Sequence, residues 1–258
     1  MSDHTSKQAP ASPPPKPKLA QLLRRKDVWR GHSHAFSEQA HWATGHNELD
    51  QALLHNGWPL SSLVEVCQAQ NTHIEWFLLG PRLRHASTQG GYTILLNPPA
   101  QPYVPSLTQQ KVNLDQLILV EAPTRADFVA SLIEILKAPV CPLLLAWEPK
   151  QGLSYAELRK CQLATSGHPG LCVLFRQQRH QQQSSPASLR LSASLTAEFL
   201  ELHIFKQRGK LTQNAPIQIA LPQSWQALPL HKQLGQPKPV QKNGKLLAFG
   251  KHPLDYIP

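Results

Sequence analysis

Five short apolar runs, at 63–67 (LVEVC), 92–96 (YTILL), 116–120 (QLILV), 142–147 (PLLLAW) and 171–175 (LCVLF), are separated by segments with helical spacing. A strand that is apolar nearly throughout has both faces buried, and parallel strands need long crossover connections that are usually helices. The intervening segments supply such crossovers at 72–84, 104–111, 125–137 and 155–165. The Gly80-Pro81 pair is expected to kink or stop the first of them. This alternation predicts an α/β chain with a mostly parallel sheet covered by helices on both faces.

Beyond residue 175 the period changes. Residues 189–195 (LRLSASL) and 200–204 (LELHI) alternate strictly, as half-exposed strands do, and predict an antiparallel pair joined near 196–197. A last short strand is expected at 217–221 (IQIAL). Between the two patterns, residues 176–185 (RQQRHQQQSS) read as a polar, basic segment with nothing to bury.

The opening of the core, residues 43–76, begins with the polar lead-in TGHNELD. A short amphipathic helix follows with Leu49, Leu53 and Leu54 on one face, then a turn at Gly57-Trp58-Pro59, then the first apolar strand. Residues 1–18 are rich in Pro, Ser and Lys and read as a disordered tail. Residues 19–42 form an arm with a short helix at 19–29, residues 43–221 the core, and residues 222–258 a basic, extended tail.

The net charge of +10 is unevenly spread. Lys and Arg against Asp and Glu number 7 to 3 in residues 1–40, 8 to 10 in 41–165 and 11 to 3 in 166–258. A neutral core with basic ends fits contact with nucleic acid or an acidic partner protein. No apolar run has the length of a membrane span and the N-terminus has no signal-peptide pattern, so a cytoplasmic protein without membrane contact is expected. Cys67, Cys141, Cys161 and Cys172 are widely spaced and read as buried apolar residues in a reducing compartment. His32, His34 and His41 lack a cysteine or carboxylate partner at ligand spacing, so no metal is expected.

The motifs VWRG (28–31), TGHNELDQAL (44–53), GWPLSSLVEV (57–66), NPPAQPYVPSL (97–107), LLLAWEP (143–149), LCVLFR (171–176), SSPASLRL (184–191) and LELHIFKQRG (200–209) follow one another in that order. Through them the span from about 28 to 221 resembles the ImuA family, RecA-like accessory proteins of an SOS-induced mutagenesis cassette. The resemblance implies a RecA-like core. RecA-type ATPases follow the first core strand with G-x-x-x-x-G-K-[ST], whose amides, Lys and hydroxyl hold phosphates and Mg²⁺. Here that place reads QAQNTHIE, so Gln68, His73, Ile74 and Glu75 stand in a degenerate phosphate loop with no Gly, no Lys and a carboxylate that repels a polyphosphate. The catalytic Glu position after the second strand reads Asn97-Pro98-Pro99, and the acidic end of the Walker B strand reads Ala146-Trp147. A glutamine survives where RecA senses nucleotide, at Gln177-Gln178. The chain is therefore expected to be no enzyme and to use no cofactor.

What remains is recognition. By resemblance, the segment after the fifth strand is where RecA-like proteins hold single-stranded DNA. Arg176, Arg179 and His180 there, in a segment without an aromatic residue for base stacking, and Lys206, Arg208 and Lys210 further on are candidate contacts to phosphate or a partner. Residues 226–230 (QALPL) only faintly match sliding-clamp peptides, lacking the second-position Leu and the final aromatic. The resemblance implies an accessory role in translesion synthesis, bridging an ImuB-like Y-family polymerase homologue, an error-prone polymerase III alpha-type subunit and RecA. Nucleoid association after DNA damage and weak non-specific DNA contact go with it. A SulA-like inhibitor of division acting on FtsZ is the alternative, although SulA chains largely lack the 44–63 lead-in and the strand pair after 185.

Overall fold

The computed structural model describes residues 40–69, 72–88, 90–212 and 215–222. The expectations for residues 1–39 and for the tail beyond 222, including the short helix, His32, His34 and the QALPL segment, lie outside the described residues. A two-stranded antiparallel sheet pairs β1 (His41–Trp42) with β2 (Trp58–Pro59), a strand where the sequence predicts only a turn. The main sheet contains β3 (Leu63–Gln68), β4 (Thr93–Leu96), β5 (Leu117–Val120), β6 (Leu143–Trp147), β7 (Leu171–Gln177), β8 (Leu189–Leu195), β9 (Phe199–Gln207) and β10 (Ile217–Ala220). Its order is β10-β9-β8-β3-β7-β6-β4-β5. β8 through β5 run parallel, and β9 is antiparallel to its two neighbours β8 and β10, so the sheet is mostly parallel with an antiparallel end.

The helices are α1 (Asn47–Ala52), α2 (Glu75–Thr88), α3 (Val104–Gln109), α4 (Arg125–Lys137) and α5 (Tyr155–Thr165). Local chemistry sets the starts of the last two. Thr124 Oγ1 accepts from Asp127 N at 3.1 Å, and Ser154 and Glu157 form a reciprocal capping box. Strand residues alternate between two apolar clusters. Val64, Val66, Leu143, Leu145 and Val173 join Leu78, Leu79 and Leu83 of α2. Leu144, Ala146, Cys172 and Leu174 join Phe128 and Leu132 of α4 and Leu158 of α5.

α2 does not stop at Gly80-Pro81; it runs through Pro81 to Thr88. Three local features make this tolerable. Gly80 gives the proline ring no preceding Cβ to meet. The Phe77 carbonyl, deprived of its usual partner by Pro81, lies with that of Leu78 against the His46 ring, whose Nε2 is 3.2 Å from Leu78 O. Gly45, at φ 87°, lets the proline approach so closely that a Cβ there would lie 2.3 Å from Pro81 Cβ.

β5 departs from the expected buried strand. It ends the sheet, and its two central residues are exposed. The segment after residue 175 departs too. β7 extends to Gln177, Arg176 and His180 are buried, and the segment is held down by ion pairs. Among the described residues no helix is long and apolar enough to cross a membrane.

Candidate functional site

The C-terminal ends of parallel strands are where open α/β sheets place ligands, because diverging connections leave a crevice there. β3, β4, β6 and β7 end around a cleft of about 640 Å³. That volume lies within the range of small-molecule pockets. Gln68, Asn97, Trp147, Glu148, Lys150 and Arg176 supply its polar lining, and Pro98, Pro99, Pro123 and Pro149 stiffen its rim. Trp147 stacks on Phe175 with centroids 5.0 Å apart, and Trp76 of α2 lies 6.4 Å from Trp147. Gln68 Oε1 and Trp147 Nε1 are buried without a hydrogen-bond partner.

Beneath this cleft sits a buried ionic network. β8, β3, β7 and β6 are consecutive, and one face carries Arg190 near the start of β8, Glu65 in the middle of β3, Arg176 near the end of β7 and, just after β6, Glu148. Glu65 and Arg190 are direct cross-strand neighbours, with Arg190 Nε 2.7 Å from Glu65 Oε2. Arg176 Nη1 reaches the same oxygen at 3.3 Å, while its Nε and Nη2 donate to Glu148 Oε1 at 3.1 and 2.9 Å. His180 Nδ1 lies 2.6 Å from Glu148 Oε2, and Leu153 N donates to Oε1 at 2.9 Å. Burial alone would lower the Arg176 pKa, but the contacts with Glu148 and Glu65 outweigh it and raise it above the ordinary guanidinium value. Two carboxylates and two guanidiniums thus neutralise one another where water is excluded, and each charge is hydrogen-bonded.

The network also fixes the segment that leaves β7. Gln183 Oε1 accepts from Arg176 Nη2 at 3.1 Å, the Ser185 hydroxyl donates to Glu65 Oε1, and the His180 carbonyl accepts from Arg190 Nη2 at 3.2 Å. Lys206 Nζ donates to Ser185 O at 2.6 Å. Arg190 lies over the Phe205 ring with 4.7 Å to its centroid, which fixes the guanidinium from the remaining side.

The residues expected at a degenerate phosphate loop do come together. Gln68 ends β3 and donates from Nε2 to Glu75 Oε2 at 3.3 Å. Glu75 opens α2 almost fully buried, Ile74 is in the core, and exposed His73, at φ 49°, has Nδ1 3.6 Å from Glu75 Oε1. The helix N-terminus, which attracts anions, therefore already faces a carboxylate of the chain itself. Asn97, after β4, spends both amide atoms on Ala122, with Nδ2 to the carbonyl at 2.9 Å and Oδ1 to the N–H at 2.6 Å.

The six basic candidates separate. Arg176 and His180 belong to the buried network. Arg179 is exposed beside them, donating to Lys150 O at 3.1 Å. Lys206 holds down the Ser185 loop. Lys210 Nζ sits 2.8 Å from Ala52 O and 3.4 Å from the Gln51 and Leu53 carbonyls, a cation on the C-terminal end of α1. Arg208 lies exposed just past β9, its N–H donating to Ser188 O at 2.8 Å. Sequence reasoning missed Glu65, Glu148 and Arg190; the available signal was Glu65 alone, a charged residue set inside the apolar run LVEVC. Among the described residues no group of three or more His, Cys, Asp or Glu side chains could hold a metal ion. No protein-family model and no curated protein sequence matches the chain.

Proposed function

We propose that this chain is a non-catalytic accessory protein of SOS-induced translesion DNA synthesis. It bridges an ImuB-like polymerase homologue, an error-prone polymerase III alpha-type subunit and RecA through a RecA-like core with helices over both faces of its sheet. The observation that carries this reading is Glu75 at the start of α2, buried and tied to Gln68, in the place where a nucleotide-hydrolysing relative needs open amides and a lysine. Arg176, the buried cation of the same cleft, is spent on Glu65 and Glu148. A scaffold that keeps the sheet and fills its own anion site is suited to recognition. The ordered likeness to ImuA sequences over residues 28–221 supports this process.

The test is induced mutagenesis. A strain lacking this chain is expected to lose most damage-induced mutations and regain them when the gene is returned. Undiminished mutagenesis, with division arrest when the chain is overproduced, would overturn this in favour of a SulA-like action on FtsZ.

A further inference from the structure

The two edges of the main sheet are built differently. β10 alternates, with Ile219 buried, Gln218 and Ala220 facing out, and Gln218 tied to Glu201 by a 2.9 Å hydrogen bond. β5 is Leu-Ile-Leu-Val, and its strand partner is β4 alone. Ile118 and Leu119, on opposite faces, are 39% and 44% exposed, and Leu114 just before the strand is also exposed. Soluble proteins guard exposed edges with charge, proline, bulges or a covering segment. Among the described residues, β5 carries no charge, proline or bulge within its four residues, and no second strand pairs with it.

We propose that two copies of this chain pair through β5, edge to edge and antiparallel about a two-fold axis, making one continuous sheet. An axis normal to the sheet keeps each face on its own side, so residues that oppose one another must share a face. Two centred registers meet this condition. With Ile118 on the axis, Asp115 falls opposite the partner's Glu121, and like charges directly opposed are unfavourable. With Leu119 on the axis, Leu119 meets its own copy, Ile118 meets the partner's Val120, Leu117 meets the partner's Glu121 and Gln116 meets the partner's Ala122, with no like charges opposed. One register thus joins the apolar centre of the strand to itself without charge repulsion, which makes a second copy the fitting occupant. This inference stands independently of the accessory role proposed above.

The experiment is sedimentation velocity of the full chain over a wide concentration range, together with cysteine cross-linking. Wild type is expected to form a concentration-dependent dimer. Leu119→Lys and, as a second variant, Ile118→Lys are expected to sediment as monomers with unchanged circular dichroism, since both positions are exposed in the single copy. Leu119→Cys is expected to oxidise to a covalent dimer several-fold faster than Ile118→Cys, because its Cβ faces its own copy across the axis. The natural cysteines are all buried, and burial pushes Cys67 up to about 11 and Cys141 and Cys161 up to about 12, so they will not compete. A wild type that stays monomeric, a dimer that survives Leu119→Lys, or cross-linking as fast from Ile118→Cys would each overturn the proposal. So would a monomer whose β5 amides are protected from exchange, which would give the edge to another segment.

Discussion

Glu65 holds two guanidiniums in a place that water does not reach. Removing its charge leaves Arg176 and Arg190 buried beside a single remaining carboxylate, and breaking a buried pair in this way costs about 3–5 kcal/mol. Glu65→Gln is therefore expected to move the urea midpoint far below that of wild type; a shift near zero would mean that the network is hydrated. Two histidines set a pH dependence at the same scale. His46 and His168 are buried with Nε2 3.2 Å from Leu78 O and 2.9 Å from Cys141 O, and burial pushes both below the ordinary imidazole value. On unfolding they regain that value, so the unfolded chain takes up protons that the folded chain refuses. Stability is expected to fall as pH drops below about 6.5. The slope reaches up to ~1.4 kcal/mol per pH unit for each histidine, and full stability returns above that pH. Urea melts at about pH 7.5 and about pH 5.5 measure the slope, and His168→Asn should reduce it.

Elements were legible from sequence wherever a single period governs them. The spans of α4 and α5 are those the apolar spacing predicts, and β3, β6 and β7 begin within a residue of their apolar runs. Failures came where a distant contact decides. Pro81 reads as a helix breaker until Gly45 and His46, more than thirty residues earlier, are seen to receive its ring and its orphaned carbonyl. Gly45→Ala puts a Cβ into that contact at a positive φ and is expected to lower stability by about 2 kcal/mol or more, read as a drop in thermal midpoint. The loop after β7 reads as solvated because its polar residues have no local partners. Those partners, Glu65 on β3 and Glu148 just past β6, are placed by sheet order, which periodicity does not encode. β5 reads as buried because its residues match those of a central strand; its place at the edge follows from topology alone.

For the whole molecule, the structure redistributes the charge that the sequence shows as basic. Of the cations after residue 165, Arg176 and Arg190 are neutralised inside, while Lys206 and Lys210 serve carbonyl groups. Arg179 and Arg208 stay exposed on the described surface, and residues 41–165 carry 8 Lys and Arg against 10 Asp and Glu, so direct contact of the core with phosphate is expected to be weak and lost at moderate salt. Calorimetric titration with Mg-ATP is expected to give no binding heat to the full chain; micromolar binding would mean that Glu75 can be displaced from the α2 terminus. The most direct measurement for the accessory role is capture of the purified chain, with nuclease present, by immobilised ImuB-like protein, RecA and FtsZ in separate experiments. Retention by the ImuB-like protein or RecA and not by FtsZ is the expected result, whereas retention by FtsZ alone would contradict the account and make this scaffold a division inhibitor.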